Sequence, residues 1–187
     1  MPLPVLVGIS GATGVIYAVE LLRALKQLGQ PVHLIVSEMG ARTLAIETDL
    51  SLDDLRGLAD VTYSNKDLAA AVSGGSFRTA GMVIAPCSVK TLSGIANSFS
   101  VNLMIRAADV TLKERRPLVL LFRETPLHAG HLRLMLRATE MGAVIMPPLP
   151  AFYTRPQTIG EIVQQTVGRA LDHLGIEHQL IARWSGV

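Results

Sequence analysis

Five consecutive apolar residues, Leu118 to Phe122, constrain the fold of this chain more than any other stretch of it. Pro117 precedes them and the run is too short for a helix, so it predicts a strand buried on both faces. Arg123 and Glu124 follow at once. Ligands of open parallel sheets bind at the carboxyl ends of strands, so a cation beside a carboxylate there favours a functional site over a charged, solvated loop. Such a pair can bind an anion and transfer a proton.

The sequence around this run alternates between predicted strands and predicted helices. Strands are predicted at 4–9, 32–36, 82–85, 118–122 and 143–146, and helices at 15–28, after the second strand to about 47, at 91–96, 103–114, about 127–141 and 159–174. Residues 50–80 are polar, contain the breaker Gly74-Gly75-Ser76 and carry little regular signal. The alternation predicts the α/β class, as a flavodoxin/Rossmann-like three-layer sandwich with a mostly parallel sheet.

Composition narrows the classes of protein to which the chain can belong. Its 187 residues predict one domain, and 49% hydrophobic against 17% charged residues leads us to expect that an oligomer covers part of the surface. A net charge of +2 without a basic run argues against a nucleic-acid partner. No apolar stretch is long enough to span a membrane, and the start lacks the basic region of a signal peptide. The single cysteine, Cys87, fits a reducing compartment, so we expect a cytoplasmic protein.

Small and polar residues also follow the other predicted strands. The segment from Ser10 to Gly14 ends the first strand, where small residues let backbone N–H groups approach a ligand and a helix start favours an anion. The second strand ends at Ser37, where a nicotinamide-dinucleotide site would have an acidic residue to bind the ribose. Its absence there favours a mononucleotide. Hydroxyls and backbone donors between Pro86 and Thr91 end the third strand. Helix capping explains any one hydroxyl, but three such ends at one sheet edge predict a site.

Several motifs, taken in their order and spacing, resemble the UbiX-type flavin prenyltransferases, which were formerly described as aromatic-acid decarboxylase subunits. They are Gly11-Ala12-Thr13-Gly14, Glu47-Thr48-Asp49, Pro86-Cys87-Ser88, Arg106-Ala107-Ala108-Asp109-Val110, Leu112-Lys113-Glu114-Arg115, Arg123-Glu124, Phe152-Tyr153 and Pro156-Gln157-Thr158. The resemblance covers nearly the whole chain. It implies a flavodoxin-like fold, one flavoprotein domain over 1–187, bound FMN, and a dodecamer with active sites between subunits. We expect the tail from about residue 175 to pack on a neighbouring subunit.

The resemblance also implies the reaction. A dimethylallyl group passes from dimethylallyl monophosphate to the N5 and C6 atoms of reduced FMN, and the prenylated FMN serves a UbiD-type decarboxylase. A monophosphate leaves poorly without a partner of opposite charge. We therefore expect Lys113, Arg123 and Arg169 to neutralise it without a metal ion.

The resemblance also implies a role for each candidate residue. The residues expected to bind FMN are Gly11, Ala12, Thr13, Ser37, Ser88, Val89, Lys90, Thr91 and Arg123. The residues expected to bind dimethylallyl phosphate are Lys113, Glu124, Tyr153 and Arg169, and those expected to be catalytic are Glu124, Lys113, Arg123 and Glu47. Glu124 would give or take the proton, and the Tyr153 phenol would donate to phosphate. Trp184, in the tail, is a candidate to close over a neighbouring subunit's site.

Two other functions stay open. A flavin-dependent cysteine decarboxylase shares the fold, but those enzymes have an asparagine in the segment that corresponds to Pro86–Thr91, and none stands here. A non-catalytic FMN-binding subunit of a hydroxyarylic-acid decarboxylase would need no clamp for a leaving group.

Two further features favour ordinary structural roles. His128 and His131 have the spacing of a metal pair, but no carboxylate or cysteine completes the set. Cys87 has no nearby histidine in the sequence to activate it, which favours a small buried residue.

Overall fold

Six strands form one sheet in a computed structural model that describes residues 2–186. They are β1 Val5–Ile9, β2 Val32–Val36, β3 Val61–Ser64, β4 Gly81–Cys87, β5 Leu118–Phe122 and β6 Val144–Ile145. The strand order is β3-β2-β1-β4-β5-β6 and every pairing is parallel. This is the doubly wound order of dinucleotide-binding folds. The predicted α/β class is confirmed, and the sheet is wholly rather than mostly parallel.

Helices cover both faces of the sheet. They are α1 Val15–Gln27, α2 Glu38–Glu47, α3 Leu52–Arg56, α4 Val89–Ala96, α5 Leu103–Lys113, α6 Ala129–Glu140 and α7 Ile159–His173, with 3₁₀ turns at Ala71–Ser73 and Phe152–Thr154. One apolar core packs α1 and α7 against the sheet, and a second packs α4, α5 and α6 against the other face. Within β5, Val119 and Leu121 enter the first core while Leu118, Leu120 and Phe122 enter the second. The prediction of a strand buried on both faces is therefore confirmed.

Residues 50–80, which carry little regular signal in the sequence, do contain regular structure. They contain α3 and the edge strand β3. Three of the four β3 residues are exposed, so the strand has no apolar run by which to recognise it. The single turn of α3 begins at a capping box between Ser51 and Asp54.

The third predicted strand is longer than expected. It continues through Pro86 to Cys87, because the register with β5 shifts between Ile84 and Cys87. A proline is tolerated at such an irregularity, where it has no ladder hydrogen bond to donate.

The strand order reverses between β1 and β4. The chain leaves β1 towards β2 on one side and leaves β4 towards β5 on the other. The loops at the two carboxyl ends therefore diverge and leave a crevice, which is where open α/β sheets bind ligands. No helix among residues 2–186 is both long and apolar enough to cross a membrane.

Candidate active site

The carboxyl ends of β1 and β4 are tied together by one buried hydroxyl. Ser10 is 2% exposed, and its Oγ donates to the Pro86 carbonyl at 2.8 Å and accepts from the Ser88 N–H at 2.8 Å. We call Ser10, Pro86 and Ser88 the β1–β4 junction. Ser88 in turn caps α4, because its Oγ accepts from the Thr91 N–H at 3.3 Å. Sequence reasoning did not single out Ser10 as a site residue, although a hydroxyl directly after a buried strand was its signal.

Arg123 lies beside this junction. Its N–H donates to the Cys87 carbonyl at 3.0 Å, which fixes the start of the loop after β5 against the end of β4. Burial raises the pKa of the Tyr17 phenol on α1, and the positive charge of Arg123 offsets part of that shift. The guanidinium therefore acts on the start of α1 across the crevice. Within residues 2–186 it has no hydrogen-bond or ion-pair partner, so its donors are available to a ligand.

Glu124 follows Arg123 at the same sheet edge and is half-buried. Its Oε1 accepts from the Thr125 N–H at 3.0 Å. The cation and the carboxylate predicted from the sequence thus stand together at the carboxyl end of β5.

The anion expected at the start of α1 is a side chain of the protein itself. The Glu47 carboxylate accepts from the N–H groups of Gly14 at 2.9 Å and Val15 at 3.0 Å. Gly14 is the N-cap residue, with φ +97°, and has no side chain with which to cap the helix. Glu47 supplies that cap from the far end of α2. Its catalytic role stays a prediction.

Ser37 and Gly11 bring the end of β2 next to the first loop. The Ser37 hydroxyl caps α2 by accepting from the Gly40 N–H at 2.9 Å, and its own N–H donates to the Ile9 carbonyl at 2.9 Å. A Cβ on Gly11 would overlap the Met39 side chain, so the loop and α2 pack without space for a larger residue. The predicted residues from 11 to 13 and at 37 therefore lie at one edge.

The donors at this edge fit FMN. The N–H groups of Val89 and Lys90, in the first turn of α4, have no acceptor within residues 2–186, and a helix start with free donors binds phosphate. The free guanidinium of Arg123 adds positive charge close by. Together with the exposed first loop, these groups can hold an anionic, planar mononucleotide.

Tyr153 and Arg169 share a separate cavity of about 260 Å³ between α7 and the segment that follows β6. The Tyr153 hydroxyl accepts from the Gln165 amide at 2.9 Å, and one guanidinium nitrogen of Arg169 donates to Asp172 at 2.8 Å. The structure thus brings together two of the four residues predicted to bind dimethylallyl phosphate.

Lys113 lies at the opposite edge of the sheet. It ends α5, directly before β5, whereas Glu124 follows β5. The five residues of that strand span about 16 Å. Lys113 instead contacts Glu114 of its own chain. A clamp formed by Lys113, Arg123 and Glu124 of one chain is therefore excluded.

The tail contacts its own chain. Trp184 packs edge-on against Tyr153, with ring centroids 5.5 Å apart and an angle of 80° between the planes. Arg183 is bound to Asp172 on α7. Packing of its outer side on a neighbouring subunit stays a prediction.

The residues whose types and spacing could suggest a metal site or a nucleophile have structural roles instead. His128 caps α6, and its ring stacks on His131 at 3.7 Å. The sequence contains one Asp-x-x-x-Asp spacing, from Asp49 to Asp53, and there Asp53 pairs with Arg56. No group of three or more possible metal ligands occurs in the part of the chain that the structure describes. Cys87 is buried, and its burial raises the pKa of the thiol.

Comparisons with known proteins agree with the sequence motifs. The family model "Flavoprotein" matches residues 2–171. The flavin prenyltransferase UbiX of Escherichia coli strain K12 is 57% identical over 184 residues, which cover 97% of each chain. A crystal structure of AnUbiX (PadA1) in complex with FMN and dimethylallyl pyrophosphate has a TM-score of 0.98 and 44% identity, over 100% of both chains. A dodecameric FMN-dependent UbiX-like decarboxylase from Escherichia coli O157:H7 has a TM-score of 0.95 and 46% identity, over 98% of this chain and 100% of that one.

Proposed function

The chain belongs to the UbiX-type flavin prenyltransferase family, and from that membership we propose that it transfers a dimethylallyl group from dimethylallyl monophosphate to reduced FMN. The observation that carries the proposal is 57% identity across 97% of a flavin prenyltransferase. The prenylated FMN would serve a UbiD-type decarboxylase in the cytoplasm.

The crevice at the β1–β4 junction is the proposed FMN site. Reduced FMN, when bound, supplies the nucleophilic N5 and C6 atoms. The chain's part is to hold it: the first turn of α4 and Arg123 bind its phosphate and polar edge, while the first loop and Ser37 lie alongside. Gly11, Ala12 and Thr13 suit close approach because they present little side-chain bulk.

Cationic and phenolic donors assist the departure of phosphate. Arg123 of the crevice, Arg169 of the cavity and Lys113 of a neighbouring copy neutralise its charge once assembly brings them together, and so replace the metal ion that diphosphate donors need. The Tyr153 oxygen already accepts from Gln165, which leaves its own hydrogen free to donate to a phosphate oxygen.

Glu124 moves the proton in this proposal. Its Oε1 accepts from the Thr125 N–H, which helps to orient the carboxyl group at the carboxyl end of β5. The carboxyl gives a proton to the departing phosphate or removes one from the acceptor as the second bond forms.

Incubation with reduced FMN and dimethylallyl monophosphate, followed by mass spectrometry of the released flavin, tests the reaction. We expect the flavin to gain the mass of a dimethylallyl group, with no gain when the donor is left out. A parallel reaction with dimethylallyl pyrophosphate tests the choice of donor, and a chelator tests independence from metal. Unmodified flavin, recovered from protein that has bound FMN, would contradict the proposal.

Assembly completes the site, because Lys113 and Glu124 of one chain are at opposite sheet edges. A homo-oligomer, proposed to be a dodecamer like the relative from Escherichia coli O157:H7, would place Lys113 of one copy at the Glu124 edge of another. Co-expression of K113A and E124Q chains tests this. Each variant alone should be inactive, and random mixing should restore about a quarter of the sites. No recovery in verified mixed oligomers would exclude a shared site.

A further inference from the structure

The C-terminal segment, residues 177–186, is fastened to α7 through one carboxylate. Arg183 donates to Asp172 with both terminal nitrogens, at 2.8 and 3.1 Å. Arg169 donates to the same carboxylate at 2.8 Å from one turn away on α7. His178 approaches it at 3.2 Å. Asp172 therefore binds both a cation that lines the cavity and a cation of the segment.

His178 holds the segment close to the helix. Its Nδ1 accepts from the Leu180 N–H at 3.1 Å, so Nε2 carries the hydrogen and donates to the Gly168 carbonyl at 2.9 Å. The ring is buried. Gly168 makes the approach possible, because a Cβ there would overlap Ile181 and crowd His178. The segment thus packs on a bare stripe of α7.

Trp184 connects the C-terminal segment to the cavity. It follows Arg183 in the chain, and its indole meets the ring of Tyr153, which lines the cavity with Arg169. An edge-to-face aromatic pair of this kind has a preferred geometry, so it fixes the direction of the tyrosine ring. Two of the groups proposed to bind dimethylallyl phosphate are consequently held, directly or through the segment, by Asp172.

The charges suit an anionic ligand. Asp172 carries one negative charge against the two positive charges of Arg169 and Arg183. The group keeps an excess positive charge. Arg169 uses only one terminal nitrogen towards Asp172, which leaves donors for a phosphate.

We propose that Asp172 is a positioning residue of the donor site, which orients Arg169 and, through Arg183, docks Trp184 on Tyr153. The inference rests on the proposed function only in naming the cavity as the donor site. Asp172 itself touches no reacting atom. Loss of its charge should free the segment and let Arg169 move, while the sheet and the FMN crevice stay intact.

Trp184 is the only tryptophan of the chain, so its fluorescence reports on the segment directly. In the full-length protein, time-resolved anisotropy should show a slowly rotating indole. D172N and G168A should each add a fast component, by loss of the carboxylate and by collision with Ile181. D53N, which removes an exposed aspartate–arginine pair on α3, is the matched control and should match wild type. Wild-type anisotropy in both D172N and G168A would overturn the docking role.

The affinity for the prenyl donor tests whether Asp172 orients Arg169. Calorimetry with dimethylallyl monophosphate and FMN-loaded protein, its flavin kept oxidised so that no transfer occurs, should give a Kd about tenfold higher in D172N than in wild type. D172E should recover part of the loss, and D53N should show none. An unchanged Kd in D172N would overturn the positioning role.

Turnover separates this inference from the proposed function. Wild-type protein that binds the donor but never modifies reduced flavin would refute prenyl transfer, while the D172N-to-wild-type ratio of Kd would still decide the role of Asp172. Wild-type protein that shows no donor binding would overturn both.

Discussion

Replacement of Ser10 by alanine tests the β1–β4 junction. The hydroxyl donates to the Pro86 carbonyl and accepts from the Ser88 N–H, both at 2.8 Å, and is shielded from water. In S10A the Pro86 carbonyl keeps a longer bond, 3.3 Å, from the Ser10 backbone N–H. The Ser88 N–H loses its acceptor, in a position that water does not easily reach.

The size of the effect follows from that unpaired donor. An intramolecular hydrogen bond contributes about 1 kcal/mol net, and a buried group left unsatisfied costs about 1–3 kcal/mol. We therefore expect S10A to lower the free energy of unfolding by about 2 kcal/mol, which corresponds to a fall in Tm of about 4–8 °C for a chain of this length. Because Ser88 caps α4, we also expect weaker FMN binding.

Guanidinium denaturation followed by circular dichroism measures the change in stability, at one protein concentration because assembly contributes to it. Flavin fluorescence titration measures the affinity for FMN. S64A is the control: its hydroxyl accepts only an exposed bond of 3.3 Å from Lys66, which water can replace. A loss in S10A within about 0.5 kcal/mol of that in S64A would refute the reasoning.

Substitutions at Glu47, Gly40 and Asp172 test other contacts. E47A should lower the free energy of unfolding by about 1–2 kcal/mol through loss of the α1 cap, and E47Q should lower it by about half as much. Equal stability of wild type, E47A and E47Q would contradict the role of Glu47 as the cap. G40A should cost at least about 2 kcal/mol, since its methyl would overlap the Ile9 carbonyl. G160A, whose methyl would make only an ordinary van der Waals contact with the Thr158 hydroxyl, should cost nothing in the same denaturation assay. D172N should abolish an acid transition in Trp184 anisotropy that wild type shows.

The sign of that acid transition follows from the pKa of Asp172. The hydrogen bond from Arg183 is the main cause that holds this pKa below its usual range. The stabilisation is fully present above the unfolded value of about 3.9 and is lost as pH falls through the lower folded value. The contribution of Asp172 to the docking, measured as the difference in anisotropy between wild type and D172N, should therefore persist down to about pH 4 and be lost at more acid pH. A midpoint of that difference above about pH 4 would contradict the assignment.

The sequence was sufficient for the centre of the sheet because burial on both faces leaves a continuous apolar run, as at Leu118–Phe122. It was insufficient for β3, where exposed residues at a sheet edge look like a loop. The cap on α1 could not be read either, since Glu47 and Gly14 are 33 positions apart and meet only in the folded chain.

The sequence likewise placed some residues of the site correctly and others not. Arg123 and Glu124 were recognisable because a strand end fixes their place in the sheet. Lys113 was drawn into the same group by its motif, although a helix that leads into a parallel strand must end at the amino edge. The contact of Trp184 with Tyr153 depends on a docked tail, for which the sequence offers no periodicity.

The reactivity of Cys87 can report how often the centre of the sheet opens. Cys87 is the chain's one thiol, is buried at the end of β4, and is kept protonated by its surroundings. A thiol reagent can reach it only after the adjoining ends of β4 and β5 separate. Its rate of alkylation in the native protein therefore measures how often the strands that flank the crevice separate. FMN bound in the crevice should lower that rate.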